Sequence, residues 1–268
     1  MTKRILTAIL FLVIIISCVS CGKNSNVNSN NNSSELASSE PEKTVYQIFD
    51  EADKKMDALE SYAYQDNTSL KIESNDIYVD MKTVSDVKLD TLNGQKRFTV
   101  DQNITVNDEL SVANACYNGK YYVKQENGKY AEVSAKDYFA VFPDILNQDE
   151  SKKGMPEITE EDVVSSSKGT YVNGTVASLT VKAEKFNTYL TEVFKDLGTT
   201  VDSVNIEDVK VDVKINNNGY FEELITTIKG HITITANGQT TTISLDTTTK
   251  QTIVNPGSPV TVTLPTLP

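Results

Sequence analysis

Val209-Lys210-Val211-Asp212-Val213-Lys214-Ile215-Asn216-Asn217-Asn218-Gly219 decides the fold. Apolar residues occupy every second position from Val209 to Ile215, and Lys210, Asp212 and Lys214 fill the gaps. Side chains of a strand alternate between its faces, so this stretch predicts a strand with one apolar and one charged face. It stops at Asn218-Gly219, a pair suited to a tight hairpin, because a type I′ turn needs positive φ at both central residues.

The same pattern repeats outward. Further Asn-Gly pairs begin at Asn93, Asn118, Asn127, Asn173 and Asn237. Asn118-Gly119 and Asn127-Gly128 flank Tyr121-Tyr122-Val123, predicting three short strands in a meander. Asn237-Gly238 joins Ile232-Thr233-Ile234-Thr235 to Thr241-Thr242-Ile243-Ser244-Leu245. Roughly ten to twelve strands follow, and short turns between them make the sheet antiparallel.

Three stretches break the two-residue period. Val45, Ile48, Phe49, Ala52, Met56 and Leu59 recur at three- and four-residue steps, predicting a helix over 45–61 with Asp50, Glu51, Lys54, Lys55 and Asp57 on its other face. Tyr138, Phe139, Phe142, Ile145 and Leu146 cluster in a second helix over 135–146, which Pro143 breaks or kinks. A third spans 183–197, where Phe186, Tyr189, Leu190, Val193, Phe194 and Leu197 form a stripe and Gly198 is the stop. Few helices and many hairpins predict an α+β fold: a large curved antiparallel β-sheet with a few helices packed on its concave face.

The N-terminal residues carry a different signal. Lys3 and Arg4 precede a run from Ile5 to Ile16 that is apolar apart from Thr7, too short for a spanning helix, which needs ~20 residues, but suited to a signal peptide. Ser17-Cys18-Val19-Ser20-Cys21-Gly22 follows and then polar sequence. This resembles the lipobox of bacterial lipoproteins, where a lipid is added to a cysteine that becomes the mature N-terminus. Cys21 opens directly onto the polar stretch and is favoured. Cys18, with an aliphatic residue three places before it, is the alternative. Residues 1–20 are thus expected to be a lipoprotein signal peptide, residues 21–43 a disordered Asn/Ser-rich tether, and residues 44–268 the folded domain. As a flexible coil the tether would place its ends on the order of 25 Å apart.

Composition narrows the function classes. The chain carries −12 formal charges; removing residues 1–20 takes away Lys3 and Arg4 and no acid, giving −14. Such a charge repels nucleic acid and anionic headgroups, so no nucleic-acid partner is expected and membrane attachment would come from the lipid. Beyond the lipobox only Cys116 remains, in a strand-like stretch, which excludes an internal disulfide and suits a small buried hydrophobe. One histidine and one domain cysteine cannot build a usual N/S metal site, and His231 reads as a solvent-facing strand residue. Glu157, Glu160, Glu161 and Asp162 beside Thr159 read as a capped first helical turn. No phosphate loop, nucleophile elbow or EF-hand spacing occurs. Neither enzyme activity nor a cofactor or metal is expected.

At the level of architecture the chain resembles the LolA/LppX-like group of bacterial lipoproteins and carriers, over about residues 44 to 264. The likeness rests on the lipobox, the first helix ending in Leu59-Glu60-Ser61-Tyr62, the Tyr117-Asn118-Gly119-Lys120-Tyr121-Tyr122 hairpin, midchain helices, and a late meander ending near Val260-Thr261-Val262-Thr263-Leu264-Pro265. It implies an incomplete antiparallel barrel closed by helices, with a lipid or other hydrophobic ligand between sheet and helices. The ligand-binding residues would then be Phe49, Met56, Tyr138, Phe142, Phe186, Leu190 and Phe194. Tyr117, Tyr121, Tyr122, Tyr130, Tyr138, Phe139 and Phe142 could line such a space or fill an ordinary core, and core is favoured. The expected protein is a lipid-anchored extracytoplasmic lipoprotein on the cell membrane of a Gram-positive bacterium. The alternative is a non-enzymatic surface interaction or structural module, for which the Thr-rich strands (Thr226, Thr227, Thr233, Thr235, Thr240 to Thr242) would supply the outer face.

Overall fold

A computed structural model describes residues 42–74, 78–139, 141–142, 156, 158–196, 201–236 and 239–268. The expected signal peptide, Cys18, Cys21 and nearly all of the expected tether lie outside this set. Helix α1 (Val45–Asp57) leads into β1 (Tyr62–Glu73), β2 (Tyr78–Leu92), β3 (Gln95–Val106), β4 (Glu109–Asn118), β5 (Tyr121–Lys124) and β6 (Tyr130–Val133). Helix α2 (Ala135–Phe139) and a 3-10 turn (Glu160–Asp162) precede β7 (Val163–Tyr171) and β8 (Gly174–Val181). Helix α3 (Glu184–Asp196) then introduces β9 (Ser203–Asn216), β10 (Phe221–Ala236) and β11 (Gln239–Val254).

All eleven strands join one antiparallel sheet in the order β6-β5-β4-β3-β2-β1-β11-β10-β9-β8-β7. Each half of the chain is a simple meander, and the halves meet where β1 pairs with β11 from Ala63↔Val254 to Glu73↔Ser244. The edges, β6 and β7, do not pair, so the curved sheet stays open. Their composition fits that outcome: β6 has only four residues, and β7 carries exposed Ser165, Ser166, Ser167, Lys168 and Gly169. A short edge and a polar, charged edge both discourage further strand pairing.

The helices pack on one sheet face, here called the inner face. α1 lies on β7, β8 and β10, α3 on β9, and α2 on β5. α1 is started by a reciprocal cap: Thr44 Oγ1 accepts from Gln47 N–H at 3.2 Å, and Gln47 Oε1 accepts from Thr44 N–H at 2.9 Å. Its stripe buries Ala52 and Met56. On α3 the buried residues among those described are Phe186, Tyr189 and Leu190. α3 is also tied to the sheet by Asn187 Oδ1, which accepts from Ile206 N–H at 2.6 Å.

Several boundaries differ from the sequence expectation. α1 ends four residues early, because the Ala58 N–H closes the last turn on Lys54 O and the chain then extends into β1. α2 is a single short helix ending at Phe139, and residues 143–150 lie outside the described set. Leu197 and Gly198, the expected end of α3, also lie outside it. The acidic run is capped at Thr159 as expected but makes a single 3-10 turn, in which Asp162 Oδ2 accepts from both the N–H and the hydroxyl of Thr159, at 2.8 and 2.6 Å. Among the Asn-Gly pairs within the described residues, only Asn93-Gly94 shows positive φ at both positions, at 53° and 76°. Asn107-Asp108, at 46° and 70°, makes the equivalent turn between β3 and β4 without a glycine. Asn and Asp tolerate the left-handed region better than other non-glycine residues, so dipeptide identity alone does not fix the turn.

Candidate functional site

On the inner face, apolar alternation is interrupted at the middle of the sheet. One row runs Gln102 (β3), Ser85 (β2), Asp66 (β1) and Gln251 (β11), each directly opposite the next. The adjoining row runs Thr83 (β2), Thr68 (β1), Thr249 (β11) and Thr226 (β10), again in register. Thr247 follows on β11, opposite Leu70 and Ile228. These nine side chains are all buried, and they account for all but two of the buried polar residues among those described. The remaining two, Asp90 and Asp162, belong to ion pairs with Arg97 and Lys185 elsewhere.

Why these positions face inward follows from strand parity. Asp66 and Thr68 share the phase of Tyr64, Leu70 and Ile72, whose burial fixes which side of β1 looks inward. Thr247, Thr249 and Gln251 share the phase of Leu245 and Ile253 on β11. The polar island is therefore framed along the strands by apolar rows: Val100, Val87, Tyr64 and Ile253 on one side, Met81, Leu70 and Ile228 on the other.

Part of the island satisfies itself. The hydroxyl oxygens of Thr68 and Thr249 lie 3.1 Å apart and share a hydrogen bond. Gln102 Oε1, Thr226 Oγ1, Thr247 Oγ1 and Gln251 Oε1 have no hydrogen-bond partner, although these residues are only 3%, 2%, 0% and 2% exposed. A buried polar group left unpaired costs ~1–3 kcal/mol. Four of them form a large fraction of a domain's net stability of ~5–15 kcal/mol. Buried polar atoms of this kind call for a partner, and three of them lie on the neighbouring strands β10 and β11.

The aromatic candidates flank this centre. Phe98, Tyr117, Tyr121, Tyr138 and Phe142 form a stack over β3 to β5, with centroids 5.6 Å apart for Phe98–Tyr117, 4.4 Å for Tyr121–Tyr138 and 5.2 Å for Tyr138–Phe142. On the other flank Phe49 of α1 stacks on Phe221 of β10 at 5.8 Å, and Met56, Phe186 and Leu190 are buried in the same core. The expected ligand-binding set thus divides into two apolar banks, Tyr138 and Phe142 on one and Phe49, Met56, Phe186 and Leu190 on the other. The side chain of Phe194 lies outside the described residues, as do Cys18 and Cys21. Cys116 is a fully buried free thiol, and burial pushes its pKa up to about 11, which leaves it unreactive.

One sequence expectation changes. Thr226, expected on an outward-facing strand surface, is inward and buried, whereas Thr227 beside it takes the outward phase. His231 faces outward from β10 as expected, and its Nδ1 lies 3.0 Å from Glu207 Oε1. The outer face is otherwise built of ion pairs, chiefly Glu223 between Lys214 at 2.8 Å and Lys250 at 2.6 Å. Burial alone would raise the Glu223 pKa, but the two ammonium groups hold it below the usual carboxylate value. A recess of about 210 Å³ near the β3–β4 turn, lined by Tyr78, Asp80, Lys82, Thr105, Asn107 and Asp108, also lies on this face. Among the described residues no His/Cys/Asp/Glu group could hold a metal, and no helix is long and apolar enough to cross a membrane.

No family model matches the sequence, and no curated protein does. Among solved structures, a porin-like protein from Bacteroides uniformis matches at 10% identity with a TM-score of 0.17, over 68% of this chain and 95% of that one. The MucA/MucB complex of Pseudomonas aeruginosa matches at 7% identity with a TM-score of 0.16, over 76% of this chain and 93% of that one. Neither likeness is close enough to carry an argument about this chain.

Proposed function

We propose that the chain is an exported, lipid-anchored envelope protein, not an enzyme, whose inner sheet face binds an amphiphilic lipid. The observation that supports this reading is the arrangement of that face: a buried polar island lies between two apolar banks. An amphiphile matches the sequence of environments, because its polar part can meet the unpaired oxygens while its chains cover apolar rows. A purely aliphatic ligand would leave the polar atoms unmet. The architectural resemblance to LolA/LppX-like carriers and the Ser17-Cys18-Val19-Ser20-Cys21 segment support the same reading.

Two measurements test it. Organic extracts of the purified mature protein should contain close to one equivalent of an amphiphilic lipid by mass spectrometry; an empty protein would favour the surface interaction module instead. Cys21→Ala should abolish labelling by a fatty-acid probe and release the protein into the medium. Labelling that persists moves the anchor to Cys18, and labelling of the double variant refutes lipidation at this segment.

A further inference from the structure

Resting on that reading, we propose that the polar island selects the head of the bound amphiphile, accepting an uncharged hydroxyl-bearing group such as a glycerol or a sugar and rejecting phosphate. The unpaired atoms define the chemistry. Gln102 Oε1 and Gln251 Oε1 can only accept hydrogen bonds, so the group that meets them must donate. Thr226 and Thr247 hydroxyls can donate or accept. A polyol supplies both functions on one small fragment; a phosphodiester supplies acceptors alone. Charge points the same way. The nine island residues include no Lys, Arg or His, and the acidic Asp66 sits between Ser85 and Gln251. A buried phosphate there would have no cation within the island and an acid beside it, and an uncompensated buried charge is strongly disfavoured.

Position supports a head-binding role. Thr226, Thr247 and Gln251 lie on the neighbouring strands β10 and β11, with Thr226 diagonal to both Thr247 and Gln251 through its partner Thr249. Strands lie about 4.8 Å apart and rise about 3.3 Å per residue, so Thr226 is about 8 Å from each of Thr247 and Gln251. Those two are about 13 Å from one another, a span that a hexose with bridging waters covers. Gln102, two strands beyond β1, bounds the island on its far side.

The test uses the full mature protein, stripped of lipid and incubated with phosphatidylcholine vesicles. These contain equal amounts of a diacylglycerol, a monoglucosyl diacylglycerol and a phosphatidic acid with identical acyl chains. After repurification, retained lipids are quantified by mass spectrometry. The neutral-headed lipids should exceed the phosphatidic acid by about tenfold, the effect of one or two hydrogen bonds. Thr226→Val combined with Thr247→Val keeps side-chain shape and removes both hydroxyls; it should lower that ratio several-fold, leaving the part imposed by the lack of a cation, whereas Thr226→Ser with Thr247→Ser should restore it. Equal retention of all heads by the parent overturns the proposal whether or not the valine variant folds. An undiminished ratio in a folded valine variant also overturns it. Retention of no lipid at all instead removes the amphiphile reading on which it rests.

Discussion

Thr68 and Thr249, 181 residues apart in the chain, face one another across the seam between the two meanders with their hydroxyl oxygens 3.1 Å apart. Both are nearly fully buried within their strands. The pair joins the N-terminal and C-terminal halves at the middle of the polar island. Hydroxyl pairing there fixes register as well as meeting two polar groups.

This pairing predicts non-additive mutational costs. Thr68→Val and Thr249→Val should each destabilise by ~1–3 kcal/mol, because each leaves the opposite hydroxyl without this bond. The double variant removes both and should cost less than the sum. A double-mutant cycle from urea melts measures the difference; strict additivity would mean that the hydroxyls do not act as a pair.

Acid stability should depend on Asp162. Burial would raise its pKa, but bonds from Lys185 and Thr159 prevail and lower it from 3.8 to about 2. A carboxyl depressed in the folded state stabilises above its unfolded pKa, and that contribution is lost as pH falls through the folded value. The window is therefore about pH 4 down to about pH 2. Asp162→Asn should be less stable than the parent at neutral pH and lose less stability across that window. Denaturant midpoints taken every half pH unit test this, and parallel curves would refute it.

Gly230 should not tolerate a side chain. It lies at a register shift between β10 and β9, and a Cβ there would meet Asn205 O at 2.4 Å and Ile206 Cα at 2.7 Å. Backbone cannot yield as a flexible side chain does, so Gly230→Ala should cost ~2–3 kcal/mol or more. Gly94→Ala provides the contrast. Its Cβ would meet nothing within 4 Å, but φ is +76°. The loss there should be only ~1–2 kcal/mol, from conformation alone. Equal midpoints for the two variants would contradict the close approach at Gly230.

The C-terminal segment is held by the Asp90–Arg97 pair. Arg97 Nε and Nη2 donate to the two Asp90 oxygens at 2.9 and 2.5 Å, and Val262 N–H donates to Asp90 Oδ2 at 2.8 Å. Asp90→Ala leaves a largely buried guanidinium unpaired and should cost ~3–5 kcal/mol. Deleting residues 261–268 spares the ion pair and should cost less. Proteolysis should also cut Asp90→Ala first after residue 254, where β11 ends; cleavage elsewhere would show that Asp90 does not hold this segment.

Local periodicity settled much of this protein. The alternation of Val209 to Ile215, the stripe from Phe186 to Leu190 and the glycines after Asn93 and Asn218 each act over a few residues, so sequence determined a mostly antiparallel sheet with few helices. The polar island was legible only in retrospect. Thr226 and Thr247 look like outward residues because hydroxyls favour water, yet strand geometry assigns faces by parity, and the parity of Ile228, Leu245 and Ile253 turns them inward. What only the tertiary structure decided was the β1–β11 pairing. It brings Asp66 and Thr68 beside Gln251 and Thr249, and no local rule predicts which distant strands will share hydrogen bonds. The physical reason is one of range: side-chain alternation is set by each strand's own backbone, whereas the island exists only when two meanders join in a single register.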